Sequence, residues 1–218
     1  MKLLLTSGGI TNASIEKALF DLVGKKPEDT TLVFIPTASH VEKGDKSWLI
    51  DDLINLKKLG LKSIEIADIS AVDEEVWRPK FEEADILFFE GGNTYHLMRW
   101  IKKSGLDALL PGFLKTKVYV GVSAGSMVAC KDLLLKQSQL IYEEDLTETE
   151  NMAGLHLVDV YVLPHLNSEY FTKLREDAIR EATQGMTETV YALDDQSALK
   201  VVDGAVEVVS EGKWFRVN

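Results

Sequence analysis

The residues of this chain best equipped for chemistry are Gly121-Val122-Ser123-Ala124-Gly125. Gly-x-Ser-x-Gly is the pattern of a nucleophile elbow, a sharp strand-to-helix turn that lifts a serine hydroxyl clear of a sheet. Small residues are needed where the strained backbone meets the helix, and Gly121, Ala124 and Gly125 supply them. The serine then sits at a helix N-terminus, whose free N–H groups and positive dipole end favour a developing oxyanion. The setting is the one such an elbow requires, with apolar Val118-Tyr119-Val120 before it and a helical pattern, expected over 124–135, after it. A tight βα turn without chemistry would also use glycines, but it would not require the serine.

A second glycine turn, Glu90-Gly91-Gly92-Asn93-Thr94, follows the apolar stretch Asp85 to Phe89. It lies at the carboxyl end of a strand, where open α/β sheets place their sites. Its Gly92 N–H is the choice for a second oxyanion donor. Asn93 reads as the N-cap of the next helix and also stands as a candidate substrate contact.

A serine nucleophile needs a base, and the chain offers His40, His96, His156 and His165. His165 follows Tyr161-Val162-Leu163 and so lies at a carboxyl edge, whereas His156 begins the same stretch and belongs at the opposite edge. His40 falls in a polar loop and His96 in a helix. His165 is therefore the expected base. An orienting acid completes such a relay. Asp194 and Asp195 both end the stretch Val190 to Leu193, but successive strand residues point to opposite faces, so only one can reach the imidazole. Asp132, Glu143, Glu144 and Asp145 are weaker candidates, lying in a helix or an irregular acidic loop. The order Ser, His, Asp differs from that of ordinary α/β-hydrolases, in which the acid precedes the histidine.

The elements that must position these groups alternate in type. Strands are expected at Lys2 to Thr6, Leu32 to Ile35, Ser63 to Ile69, Asp85 to Phe89 and Val118 to Gly121. Helical spacing of apolar residues appears between them, as at Ile15, Ala18, Leu19 and Leu22. Alternation of this kind implies a parallel sheet covered on both faces. Later strands are expected at 158–163, 189–193, 198–202 and 205–210, the last two joined by Asp203-Gly204, a two-residue hairpin signal. A helix is expected over 168–183. The fold class is thus α/β, a three-layer α/β/α sandwich with a mostly parallel sheet and antiparallel C-terminal strands, in a single domain spanning 1–218.

The bulk numbers bound the function. The 218 residues are 45% hydrophobic and 27% charged, ordinary values for a globular chain. Lys plus Arg number 24 against 35 Asp plus Glu, a net charge of −11. That field repels a phosphate backbone, so no nucleic-acid partner is expected. The acidic run from Glu143 to Glu150 reads as a solvated loop. A single cysteine, Cys130, leaves no internal disulfide. No stretch approaches the roughly 20 apolar residues of a membrane span, and the short N-terminal apolar run ends at glycines. A cytoplasmic protein without a membrane partner is expected.

Taken together, these motifs resemble the peptidase E (aspartyl dipeptidase) family of serine peptidases, whose fold is similar to that of class I glutamine amidotransferases. The resemblance runs over nearly the whole chain. It is carried by Leu3-Leu4-Leu5, Phe34-Ile35-Pro36, Gly91-Gly92-Asn93-Thr94, Gly121-Val122-Ser123-Ala124-Gly125, Pro164-His165 and Ala192-Leu193-Asp194-Asp195. It implies a Ser/His dyad completed by a carboxylate, an acyl-enzyme, no metal or other cofactor, and small peptides with an N-terminal aspartate as substrates. It puts the nucleophile on Ser123, the base on His165, the oxyanion donors on Gly92 and Ala124, and the acid on Asp195, where family members carry Glu. An amidotransferase would have Cys at 123 and an acid two residues after the histidine. This chain has Ser123 and Asn167 there, which disfavours glutaminase chemistry. A shorter stretch after Pro164-His165 keeps a cyanophycinase-like or other aspartyl-peptide hydrolase open. A catalytically silent ligand-binding protein and a homodimer are further open readings.

Arg175 is the candidate for substrate charge. On a helical wheel it falls within the apolar stripe of Phe171, Leu174, Ala178 and Ile179, where an arginine must find an anion or keep its head wet. The resemblance assigns such an arginine to the substrate's aspartate carboxylate.

Overall fold

The computed structural model describes residues 1–142 and 152–218. The main sheet has seven strands, in the order β3 (Ser63–Ile66), β2 (Thr31–Ile35), β4 (Ile86–Phe89), β5 (Val118–Val122), β1 (Lys2–Thr6), β8 (Ser197–Val202) and β9 (Ala205–Ser210). The first five of these run parallel. The antiparallel edge is β8 (Ser197–Val202) against β1, with β9 (Ala205–Ser210) outside it. The expected hairpin is present: Asp203 and Gly204 both take positive φ, 48° and 87°, as a two-residue turn with the twist of its strands requires.

The central strands read as unbroken apolar runs because each face is covered. Leu4, Phe34, Phe88 and Val120 pack on one side against α1 (Ala13–Val23) and α2 (Ser47–Lys58). Leu3, Leu5, Val33, Ile35, Leu87, Phe89 and Tyr119 pack on the other. There they meet α3 (Glu74–Glu83), α4 (Thr94–Lys103) and α5 (Leu106–Phe113), through Trp77, Phe81, Leu97, Met98, Ile101 and Leu110. Period-two alternation thus splits one chain into two cores, giving the expected three layers.

Three sequence expectations need correction. The helix expected over 124–135 is interrupted: α6 (Ala124–Met127) is one turn, and α7 (Leu135–Ile141) starts anew after Leu134 in a left-handed conformation. In between, the carbonyls of Val128, Ala129 and Cys130 accept from the N–H groups of Leu155, Leu157 and His156, so they are taken from any continuing helix. The helix expected over 168–183 shrinks to α8 (Glu176–Ala182). Arg175 is extended (φ −122°, ψ 155°), and the Asn167 N–H closes the preceding loop on Leu174 O at 2.8 Å. The strands expected at 158–163 and 189–193 become β6 (Tyr161–Leu163) and β7 (Val190–Leu193), which leave the main sheet. They form a three-stranded sheet with β10 (Trp214–Val217), in the order β10-β7-β6. The expected acidic stretch Glu143, Glu144 and Asp145 lies outside the described residues. Among the described residues no helix is long and apolar enough to cross a membrane.

Candidate active site

The carboxyl ends of β1, β4 and β5 lie side by side, and the small sheet brings the ends of β6 and β7 to the same place. Ser123 follows β5 with φ 48° and ψ −106°. A serine with positive φ is strained by roughly 1–3 kcal/mol, and the surroundings must over-determine the turn. They do so with buried hydrogen bonds. The Ser126 hydroxyl lies 2.8 Å from Thr6 O and 2.9 Å from Gly121 O, and Tyr119 OH donates to Gly125 O at 2.6 Å. The glycines are required by space: a Cβ at 121 would lie 2.5 Å from the Gly125 carbonyl carbon, and one at 125 would lie 2.1 Å from Phe89 O.

His165 meets this serine. Its Nε2 is 2.8 Å from Ser123 Oγ, and its Nδ1 is 2.7 Å from Asp195 Oδ1. Asp195 lies just past β7 and is the neighbour that reaches the ring. Asp194 is occupied elsewhere, accepting from the Ser197 hydroxyl at 2.6 Å and from the Lys213 N–H. Ser7, at the end of β1, ties the pair together: its hydroxyl donates to Asp195 Oδ1 at 2.7 Å and accepts the His165 N–H at 2.7 Å. Burial would raise the Asp195 carboxyl, but the His165 ring and the Ser7 hydroxyl outweigh it and hold it below the usual carboxylate range. The Phe171 ring stacks on the imidazole, with centroids 4.9 Å apart and planes at 19°. This arrangement can pass a proton from a serine hydroxyl to an imidazole whose orientation the aspartate fixes.

The Gly91–Gly92 turn adjoins the serine. A Cβ at 91 would lie 3.4 Å from Ser123 Cβ and 3.9 Å from the Trp48 ring. Gly92 has φ 126°, and a Cβ there would lie 2.3 Å from Ala38 O, so the position demands glycine twice over. Neither Gly92 nor Ala124 has an acceptor for its N–H among the described residues. Among the described residues both N–H groups are thus unpaired, one directly after Ser123 in the chain and one on the turn that adjoins it. Asn93 caps α4, its side-chain oxygen accepting from the His96 N–H at 2.8 Å. Arg175 is half-buried beyond Phe171. Its Nη1 donates to Phe171 O at 3.3 Å and Leu174 O at 3.0 Å, and its Nη2 to Ser168 O at 3.0 Å. Among the described residues no group of three or more His, Cys, Asp or Glu is placed to hold a metal ion.

The other candidates lie apart. His156 pairs with Asp159 at 2.9 Å in an exposed turn, and His40 with Asp68 at 3.0 Å. Asp132 accepts from Tyr161 OH at 2.6 Å. Sequence reasoning missed Ser7, whose signal was its place between β1 and Gly8-Gly9. It also missed Asp52 and Glu90. Asp52 shares the inward stripe of α2 with Leu49, Leu53 and Leu56, and Glu90 stands alone between four apolar residues and two glycines.

A serine on a strained βα turn, joined to a histidine and an aspartate at the edge of a parallel sheet, defines a serine hydrolase site of the α/β class. Within that class the chain belongs to peptidase family S51, whose profile matches residues 3–209. It is 28% identical over 192 residues to an uncharacterized peptidase of Listeria innocua, covering 81% of this chain and 87% of the relative. It is also 28% identical over 207 residues to the peptidase E of Streptomyces coelicolor, covering 92% and 81%. A crystal structure of a peptidase E-type protein from Listeria monocytogenes superposes with a TM-score of 0.79 at 24% identity, covering 97% of this chain and 98% of that one, which is likeness of fold.

Proposed function

We propose that this peptidase cleaves small peptides with an N-terminal aspartate through an acyl-enzyme on Ser123. The observation that carries the reading is the continuous contact from Ser123 Oγ through both ring nitrogens of His165 to Asp195, at 2.8 and 2.7 Å. His165 takes the hydroxyl proton as Oγ attacks the scissile carbonyl, and returns it to the leaving amine as the acyl-enzyme forms. Water then attacks the ester by the same route. Asp195 holds the tautomer that leaves Nε2 free to accept. The N–H groups of Gly92 and Ala124 receive the oxyanion, whose charge they stabilise more than that of the ground-state carbonyl.

Arg175 supports the aspartyl part of the reading. Its guanidinium is fixed by three carbonyls of the 168–174 loop, one of them that of Phe171, whose ring stacks on His165. Carbonyls are neutral acceptors that do not cancel the positive charge, and a planar guanidinium suits a carboxylate bidentately. In a chain of net charge −11, an acidic substrate needs such a local cation. Asn93, with its oxygen committed to the cap, retains its NH₂ group for the substrate.

The test is a screen of Asp-X, Glu-X, Asn-X and β-Asp-X dipeptides with the wild type and Arg175→Ala. Asp-X is expected to be preferred, and the variant to lose about two to three orders of magnitude in kcat/KM on Asp-X, the scale of a desolvated charge pair. Equal Asp-X hydrolysis by the variant would overturn the role of Arg175. Preference for β-Asp-X or longer peptides would overturn the substrate.

A further inference from the structure

Behind the Gly91–Gly92 turn lies a pair of carboxyls that the catalytic relay does not use. Glu90 follows β4 with no exposed surface, and its Oε1 accepts the Gly91 N–H at 2.9 Å. Its Oε2 has no N–H or hydroxyl partner among the described residues, and the carboxyl of Asp52 faces it. Two carboxyls can share so dry a place only if one holds a proton. Two buried carboxylates in contact would instead repel, with little water to screen them.

Asp52 reaches this place from α2, one turn after Trp48. A Cβ on Gly9 would lie 2.5 Å from Asp52 Oδ1, so the glycine turn after β1 is closed down on the carboxyl. The preceding Gly8 is closed down on Asp195: a Cβ there would lie 2.8 Å from that of Asp195. The acid pair therefore bridges the turn that seats Asp195 to the turn that offers the Gly92 N–H. On its far side the latter turn is pinned through the backbone, with the Asn93 N–H on Ala38 O at 2.9 Å.

We propose that Asp52 and Glu90 share one proton and act as positioning residues, clamping the Gly91–Gly92 turn against Ser123, and that loss of this proton at alkaline pH releases the turn and sets the upper pH limit of turnover. Burial raises both groups, Asp52 to about 6 and Glu90 well above the usual range, and the neighbouring Asp52 charge raises Glu90 further, which puts the proton on Glu90. The charges facing Asp52 are Asp51, Asp195 and His165, in addition to Glu90, whose own facing charge is Asp52. From this it follows that the pair carries a single negative charge through neutral pH. Rising pH removes that shared proton and places two like charges side by side. The effect on catalysis rests on the acyl-transfer reading; the shared proton does not.

Two readouts test this on Glu90→Gln and Glu90→Ala. The amide can accept from Gly91 and donate to Asp52 at any pH, mimicking the protonated acid permanently. Infrared spectra at pH 8 are expected to show a protonated-carboxyl C=O stretch in the wild type that is absent from Glu90→Gln. The rate of Ser123 labelling by a fluorophosphonate probe, which also requires the oxyanion donors, is expected to fall at alkaline pH in the wild type and to stay level in Glu90→Gln. At neutral pH Glu90→Ala should label about a hundredfold slower, the scale of losing one oxyanion donor, with the amide recovering all but about tenfold. A wild type without the infrared band, or a Glu90→Gln variant keeping the alkaline fall, would overturn the proposal. Failure to cleave any Asp-X dipeptide, with labelling intact, would count against the substrate reading alone.

Discussion

His165–Asp195 and His40–Asp68 are two histidine–aspartate contacts of nearly equal length, 2.7 and 3.0 Å, in the same molecule. They are built in opposite senses. At the first the ring is covered, its side chain 17% exposed, while the acid is 47% exposed; at the second the ring is 46% exposed and the acid 20%. Asp68 is a loop staple. It accepts from the Thr37 hydroxyl at 2.8 Å, the Ser70 N–H at 2.9 Å and the Ser70 hydroxyl at 2.7 Å, and the histidine is an addition at its open side. At His165 the fold holds the ring itself: Phe171 stacks on it, the Ser7 hydroxyl accepts the residue's backbone N–H, and the Ser123 hydroxyl stands on the ring's second nitrogen. A histidine beside an aspartate is thus not a catalytic couple until its other nitrogen meets a nucleophile on a strained turn.

The largest expected difference between the pairs is kinetic. His165→Gln should lower kcat by several orders of magnitude, as loss of a triad member does. His40→Gln should leave kcat within a few-fold. Comparable losses in the two variants would dissolve the distinction, and steady-state rates with the preferred dipeptide measure it.

The acids should divide differently. Asp195→Asn is expected to lower kcat by about a thousandfold or more by mis-setting the imidazole tautomer, with little change in melting temperature. Asp68→Asn should do the reverse, with kcat nearly unchanged and about 1–3 kcal/mol of stability lost as buried donors of the loop lose a charged acceptor. The carboxyl of Asp68 is pushed up by burial, but the Ser70 and Thr37 donors more than offset this and leave it lowered. Its contribution is therefore present above the ordinary carboxylate range and fades as pH falls through the folded-state value. Thermal melts at two pH values, beside rate measurements, separate the cases.

Much of the covered pair was legible in the sequence, because its signals are local. Gly121-Val122-Ser123-Ala124-Gly125 announces its turn, Pro164-His165 ends an apolar run, and Asp203-Gly204 announces its hairpin. Which of Asp194 and Asp195 faces the ring was not fixed by local physics and came from motif resemblance, since it depends on how β7 sits against the main sheet. What sequence pattern misplaced depends on tertiary bonding. The helical signal after Ser123 loses to carbonyl acceptors claimed by residues 155–157, and the stripe through Phe171 and Leu174 loses to a loop closed by Asn167 and Arg175. Ser7, Asp52 and Glu90 each looked ordinary alone. Only the meeting of the β1, β4 and β7 ends with α2 gives them partners.

The identity of the nucleophile is the claim on which the rest depends, and intact-mass analysis after fluorophosphonate treatment tests it directly. The account predicts a single adduct, mapped by peptide fragmentation to Ser123, and no adduct in Ser123→Ala under the same conditions. An adduct on another residue, or equal labelling of the Ser123→Ala variant, would contradict it.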